Sequence, residues 1–197
     1  MKQIVLATNN HHKATELESF LKVLSIEVIM LRNFPTIPPL VEDGHSLLAN
    51  ALKKARTVFQ FTQLPALADD SGLEVFYLCG QPGVYSARYA GEPRSDERNN
   101  SKLLAGLTGV PPRRRKGQFR AVLALVGSGF EDVAEGICPG VIAESPRGTN
   151  GFGYDPIFLP EGFDRTYAEL TQSEKNTMSH RSRAFEKLKP ILVNRIP

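Results

Sequence analysis

The chain has 197 residues, 41% of them hydrophobic and 23% charged, and a formal net charge of +3, a size and balance that suit one soluble domain with a substantial core and a mild preference for anionic ligands. It holds no apolar run of about 18 residues that could span a bilayer and no signal-peptide layout at its start, so a cytoplasmic location without a membrane partner is expected. Cys79 and Cys138 are too few for a disulfide framework or a Cys-rich zinc site, and are expected to be small buried apolar residues.

In chain order, strand-like and helix-like segments alternate, the pattern of an α/β sheet covered by helices. Gln3 to Ala7 reads as a strand. Lys13 to Leu24 reads as a helix with Leu17, Phe20, Leu21 and Leu24 on one face, and Glu27 to Leu31 as the next strand. After a proline-rich loop at 35–39, Ser46 to Phe61 forms a second helix. Its inward residues are Leu47, Leu48, Ala51, Ala55, Val58 and Phe59, and its polar face carries Asn50 and Lys54 one turn apart. Leu64 to Ala68 and Leu73 to Leu78 read as strands on either side of Asp69-Asp70-Ser71-Gly72. Asp96 to Leu107 is a third helix, Gln118 to Val126 a half-buried strand, and Ser179 to Leu192 a last helix that Pro190 should kink or end. No repeat or long linker divides the chain, so a single domain over 1–197 is expected. The run Arg113-Arg114-Arg115-Lys116 lies among prolines and a glycine without interleaved aromatics, which fits a solvated loop better than a nucleic-acid platform.

Three stretches carry candidate chemistry. At 66–72 an apolar strand ends in two adjacent carboxylates, which are costly to bury unless a cation or hydrogen-bond donors meet them. A hard divalent cation is one such partner, commonly shared with substrate phosphates; the alternative is a turn in which Asp69 caps backbone amides. The first strand runs into Thr8-Asn9-Asn10-His11-His12-Lys13 where a helix begins, and free amides at a helix N-terminus suit a triphosphate. The glycines of a P-loop are missing, Thr8 or Asn10 also serves as an ordinary cap, and the adjacent His11 and His12 cannot face one metal from a regular helix, so both are expected to be exposed. At 147–158, glycines 148, 151 and 153 permit close backbone approach, while Phe152 and Tyr154 offer rings for stacking on a base. For Tyr154 burial in the core is the favoured alternative. Glu174-Lys175 and Ser179-His180-Arg181 follow as a local group of charges and donors.

Taken in order, these motifs resemble the inosine triphosphate pyrophosphatase family over nearly the whole chain. They are Thr-Asn-Asn-x-x-Lys at 8–13, Glu42 before a glycine, Asn50-Ala, Lys54-Ala-Arg and Ala-Asp-Asp-Ser-Gly-Leu at 68–73. Pro-Gly-Val-Tyr-Ser-Ala-Arg-Tyr-Ala-Gly at 82–91, Gly-Phe-Gly-Tyr-Asp-Pro at 151–156, Glu-Lys at 174–175 and Ser-His-Arg at 179–181 complete the set. Asn9 departs from the commonest pattern, where many members have glycine, and His11 and His12 are unusual.

The resemblance implies an elongated, two-lobed α/β fold, its mixed sheet flanked by helices, with an active-site cleft between the lobes, a homodimer, and Mg²⁺ as cofactor. It implies hydrolysis of non-standard purine nucleoside triphosphates (ITP, dITP, XTP) to the monophosphate and pyrophosphate. Carried over by position, Asp70 is the catalytic carboxylate and, with Glu42, a metal ligand, while Asp69 is supporting. The 8–13 segment (Thr8, Asn9, Asn10, His11, His12, Lys13) lies on the substrate, with Thr8, Asn10, Lys13, Lys54 and Ser71 at the phosphates and Arg88 added to them. Phe152 stacks on the base, and Gly153, Tyr154, Asp155, Lys175, His180 and Arg181 surround base and sugar. A donor such as Arg181 or a backbone amide would favour a 6-oxo purine. Two alternatives stand beside this reading: a phosphatase or pyrophosphatase for other nucleoside triphosphates, and a nucleotide- or RNA-binding module using the basic loop, which would leave Glu42, Asp69 and Asp70 without a role.

Overall fold

The computed structural model describes residues 2–196. In chain order the elements are β1 (Gln3–Leu6), α1 (His11–Lys22), β2 (Glu27–Met30), α2 (Leu47–Thr62), β3 (Ala66–Val75), α3 (Asp96–Gly106), β4 (Lys116–Gly127), β5 (Phe130–Ile142), β6 (Phe158–Pro160), α4 (Gln172–Met178) and α5 (His180–Arg195), with short 3-10 turns among them. The strands form one mixed sheet in the order β2-β1-β3-β4-β5-β6. β1 runs parallel to β2 and β3, and β5 antiparallel to β6. The chain folds as two compact units, Met1–Asp70 with Ala121–Gly136 and Arg181–Pro197, and Ser71–Arg120 with Ile137–His180.

In the first unit, strand alternation decides which side chain meets which helix. Ile4, Leu6 and Leu67 join a core with Ala14, Leu17 and Leu21 of α1 and Ala184, Phe185, Leu188 and Leu192 of α5. Successive strand residues face opposite ways, so Asp69 shares the face of Leu67, and Asp70 shares that of Ala66 and Ala68. The second unit has its own core, in which Leu73 and Val75 pack with Leu103 and Leu107 of α3 and with Phe119, Ile142, Ile157, Phe158 and Tyr167.

Several expectations are corrected. The two strands read on either side of Asp69-Asp70-Ser71-Gly72 are one continuous strand, so the carboxylates sit inside β3 and neither end it nor form a turn. Gly72 is what the strand needs here, because a Cβ at that position would lie 2.2 Å from the Gly83 carbonyl oxygen. Pro190 does not stop the last helix, which continues to Arg195 while Leu192 stays fully buried. In the basic run, Arg115 is buried and donates to the carbonyls of Ile142, Leu107 and Ala143 at 2.9, 2.9 and 2.7 Å. Its neighbours Arg113, Arg114 and Lys116 are exposed, as a solvated loop requires. Cys138 is buried but Cys79 is exposed, and Leu48 faces outward at 45% exposure. Asn50 and Lys54 are buried, so they do not form a solvent face of α2.

Candidate active site

The first unit assembles its polar residues on the two faces of β3. On the Asp70 side, α2 supplies Asn50 and Lys54. Their positions relative to Leu47, Ala51, Ala55 and Val58 follow the i, i+3, i+4 spacing, which puts them in the buried stripe. Lys54 is 4% exposed and its Nζ donates to Glu42 Oε1 at 2.7 Å, Asp70 Oδ1 at 2.8 Å and the Asp69 carbonyl at 2.7 Å. Asn50 Nδ2 donates to Asp70 Oδ2 at 3.2 Å while its Oδ1 accepts from the Gly44 amide at 2.8 Å, which ties the Glu42 segment to α2. Glu42 and Asp70 therefore converge on one cationic point, now the Lys54 ammonium.

On the opposite face, Asp69 is fully buried and receives Lys13 of α1 at 2.6 Å and the Nε of Arg181 of α5 at 2.9 Å. Arg181 also pairs with Glu16 of α1. Asn10 caps α1 by accepting from the Lys13 amide at 3.1 Å, and Thr8 accepts from the Asn10 amide at 3.1 Å. The helix N-terminus and Lys13 thus stand beside the strand that carries both aspartates.

The electrostatics of the two aspartates diverge. Burial alone would raise the Asp69 carboxyl, but Arg181 and Lys13 outweigh it and hold that carboxyl well below the ordinary range. Burial dominates at Asp70 and raises its carboxyl despite Lys54 and Lys13. Burial opposes the charge on Lys54 too, yet Asp70 and Glu42 raise its pKa and keep it an ammonium. Neighbouring carboxyls pushed apart in this way are a pattern associated with proton chemistry.

The second unit assembles the glycine-rich loop at 151–155. Asp155 is buried, accepts the Phe152 amide at 3.0 Å and pairs with the buried Lys175 of α4 at 2.6 Å. The Lys175 ammonium lies 5.0 Å from the centre of the half-buried Phe152 ring and 5.4 Å from that of Tyr167. A cavity of about 390 Å³ is lined here by Asn150, Gly151, Tyr167, Leu170, Thr171, Gln172 and Lys175. Tyr154 is buried and donates to the Ser86 carbonyl at 2.9 Å; burial pushes its hydroxyl far above its usual range. Its side chain supports the loop and offers no exposed face. His180 is buried and stacks on Phe119, with centroids 4.7 Å apart.

The remaining sequence candidates are placed as follows. Asn9, His11 and His12 are exposed, the two imidazoles 6.3 Å apart and tilted. Ser71, partly buried, follows Asp70 directly on β3, and half-buried Arg88 lies over the Tyr85 ring at 5.3 Å. Arg181 is 1% exposed, and its guanidinium is bonded to Asp69 and Glu16, so in this structure it anchors Asp69. The sequence reading missed Glu16. Its signal was there: residue 16 falls in the Lys13, Leu17, Phe20, Leu21 stripe, and a carboxylate in an inward stripe demands a buried cation.

The residues present fit a divalent cation of the hard type. Among the described residues no three His, Cys, Asp or Glu side chains form a self-sufficient metal site. Magnesium is usually held by one or two carboxylates, with substrate phosphates and water completing its shell, and Glu42 with Asp70 supplies that pair.

Fold and site together define an α/β protein in which two aspartates of one sheet strand are met by lysines from the neighbouring helices. The sequence model of the Ham1 family matches residues 4–191, and the chain belongs to that family. It is 48% identical over 191 residues to a dITP/XTP pyrophosphatase of Desulforamulus reducens, covering 96% of this chain and 95% of the relative. A dITP/XTP pyrophosphatase of Geobacter sulfurreducens is likewise 48% identical, with 96% of each chain covered. Among solved structures, a Ham1 protein of Coxiella burnetii superposes with a TM-score of 0.89 at 41% identity, covering 98% of this chain and all of that one. The Staphylococcus aureus Ham1 protein gives 0.88 at 38% identity, with the same coverage.

Proposed function

We propose that the chain hydrolyses non-standard purine nucleoside triphosphates (ITP, dITP and XTP) to the nucleoside monophosphate and pyrophosphate, with Mg²⁺ as cofactor, as a cytoplasmic homodimer. The observation that carries this reading is the convergence of Glu42 Oε1 and Asp70 Oδ1 on one cationic point, 2.7 and 2.8 Å from Lys54 Nζ. The match over nearly the full length to relatives named dITP/XTP pyrophosphatase, at 48% identity, supports it.

In this reading Glu42 and Asp70 hold the metal, which supplies charge neutralisation and a bound water of lowered pKa. Asp70 is also the carboxylate assigned to take the attacking water's proton. Thr8, Asn10 and the α1 N-terminus with Lys13, Lys54, Ser71 and Arg88 are assigned to the phosphates, which together carry about four negative charges. Phe152 is assigned to the base. Lys175, beside the Phe152 ring, is the donor we assign to a 6-oxo group, in place of Arg181, whose guanidinium is occupied by Asp69 and Glu16. A buried ammonium offers nothing to the 6-amino group of adenine, which is itself a donor.

The test is release of pyrophosphate, with orthophosphate assayed in parallel, from inosine, xanthosine, guanosine and adenosine triphosphates with and without Mg²⁺. Metal-dependent pyrophosphate from the first two is the expected result. Orthophosphate as the product, or no turnover, would sink the assignment.

A further inference from the structure

Resting on that assignment of Phe152, Asp155 and Lys175 to the purine, we propose that Asp96 and Asn100 of α3 are positioning residues for base recognition. They lock the Gly153 hinge from which the Phe152 ring hangs.

Gly153 has φ +63°, a conformation that suits glycine, and a Cβ built there would meet nothing within 4 Å. Glycine visits both signs of φ readily, so with Gly153 unrestrained Phe152 would be held at its backbone only through its own amide bond to Asp155 at 3.0 Å. Downstream of the hinge the chain is fixed, because Tyr154 is 4% exposed and its hydroxyl is bonded to Ser86. The hinge itself is pinned on both sides. The Gly153 N–H donates to Asp96 Oδ2 at 2.7 Å, and the Gly153 carbonyl accepts from Asn100 Nδ2 at 2.9 Å. Residues 96 and 100 are one helical turn apart on a single face, so one rigid helix holds both peptide planes that flank the glycine.

The helix is itself anchored. Ser95 caps it by accepting from the Arg98 amide at 3.2 Å. Asn99 accepts from the Ala90 amide at 2.7 Å and donates to the carbonyls of Ser86 and Ala87 at 3.3 and 3.2 Å. With the ring set in this way, Phe152 and the Asp155–Lys175 pair keep one mutual geometry before any base arrives, which is preorganisation of the binding site.

The test compares wild type with Asp96→Ala, Asn100→Ala and the near-isosteric Asp96→Asn, which keeps an acceptor oxygen. Asp96 is exposed, so folding of its variants is expected. With inosine triphosphate and Mg²⁺, each alanine variant should raise KM roughly tenfold, the worth of about one well-made hydrogen bond. kcat should stay within about twofold, since the phosphate-handling residues are untouched, and Asp96→Asn should restore KM to near the wild-type value. Without any nucleotide, exchange of the Gly153 amide followed by NMR should accelerate in Asp96→Ala and not in Asp96→Asn. Unchanged KM in both alanine variants, a loss confined to kcat, or unaltered Gly153 exchange would overturn the proposal. If wild type turns over no nucleotide, the functional assignment falls and the exchange experiment alone decides whether the hinge is locked.

Discussion

Lys54 has three N–H groups and gives each to a different acceptor, and most of the chemistry expected of this site depends on what those acceptors do. Asp70, one of the three, also takes the Asn50 amide, so its geometry survives loss of charge. Asp70→Asn should therefore fold, with an unfolding midpoint close to wild type, and lose turnover by a factor of about 100 or more, the usual scale for removing an acid–base group. Retained turnover would exclude Asp70 from the reaction.

Asp69 makes a different prediction. Its native carboxyl titrates below the ordinary value of 3.8 because Arg181 and Lys13 overcome the effect of burial. A depressed native pKa contributes stability that is fully present above the unfolded pKa and is lost as pH falls from there through the native pKa. Urea midpoints should thus decline from about pH 5 to pH 3. The raised carboxyl of Asp70 works the other way, and in Asp70→Asn the acid decline should remain. A midpoint that rises toward pH 3 in that variant would contradict the ion-pair account.

At the scale of elements, α2 ends on Gln63, which adopts φ 57° and closes the helix with a 2.8 Å bond from its amide to the Phe59 carbonyl. The left-handed region costs an ordinary side chain about 1 kcal/mol and glycine almost nothing. Gln63→Gly should accordingly raise stability by about 0.5 kcal/mol in denaturant unfolding, the relieved left-handed cost outweighing the exposed side-chain bond to the Gln60 carbonyl at 2.9 Å that is lost; an unchanged or lower midpoint would contradict this.

The same scale shows what the sequence made legible. α1, α2, α3 and β1 follow from apolar periodicity, and their ends lie within two residues of expectation. The sequence of β3 reads as two strands because two carboxylates, a serine and a glycine interrupt the apolar run, and their partners are not visible locally. Those partners are Lys54, Lys13 and Arg181, up to 112 residues away along the chain. β5, which carries Pro139 and Gly140, and the three-residue β6 give weak local signals, since pairing rather than propensity makes them strands. Among candidate site residues, motif order singles out Glu42, Asp70 and Lys54, and the structure brings these three together. The burial of Arg181 was not legible, because it depends on Glu16 and Asp69 meeting on one face of β3.

For the whole molecule, two separate cores and one shared order of strands mean that each unit contributes its own polar cluster. In the first, Glu16, Glu42, Asp69 and Asp70 are matched by Lys13, Lys54 and Arg181, leaving one negative charge. Stripping divalent metal with a chelator should therefore leave the melting temperature of the nucleotide-free protein unchanged while abolishing pyrophosphate release. Adding Mg²⁺ and nucleoside monophosphate at about 100 times the dissociation constant should stabilise by about 2.7 kcal/mol through linkage. A large loss of melting temperature on chelation alone would show that the carboxylates need the ion to fold.

The ammonium at the focus of Glu42 and Asp70 is an internal counter-ion, a cation carried by the polypeptide itself. Many metal sites leave like charges facing one another until the ion arrives, so that maturation waits on supply. Here one ammonium already offsets much of that repulsion, so a newly made chain is expected to reach its final architecture whatever the local ion concentration.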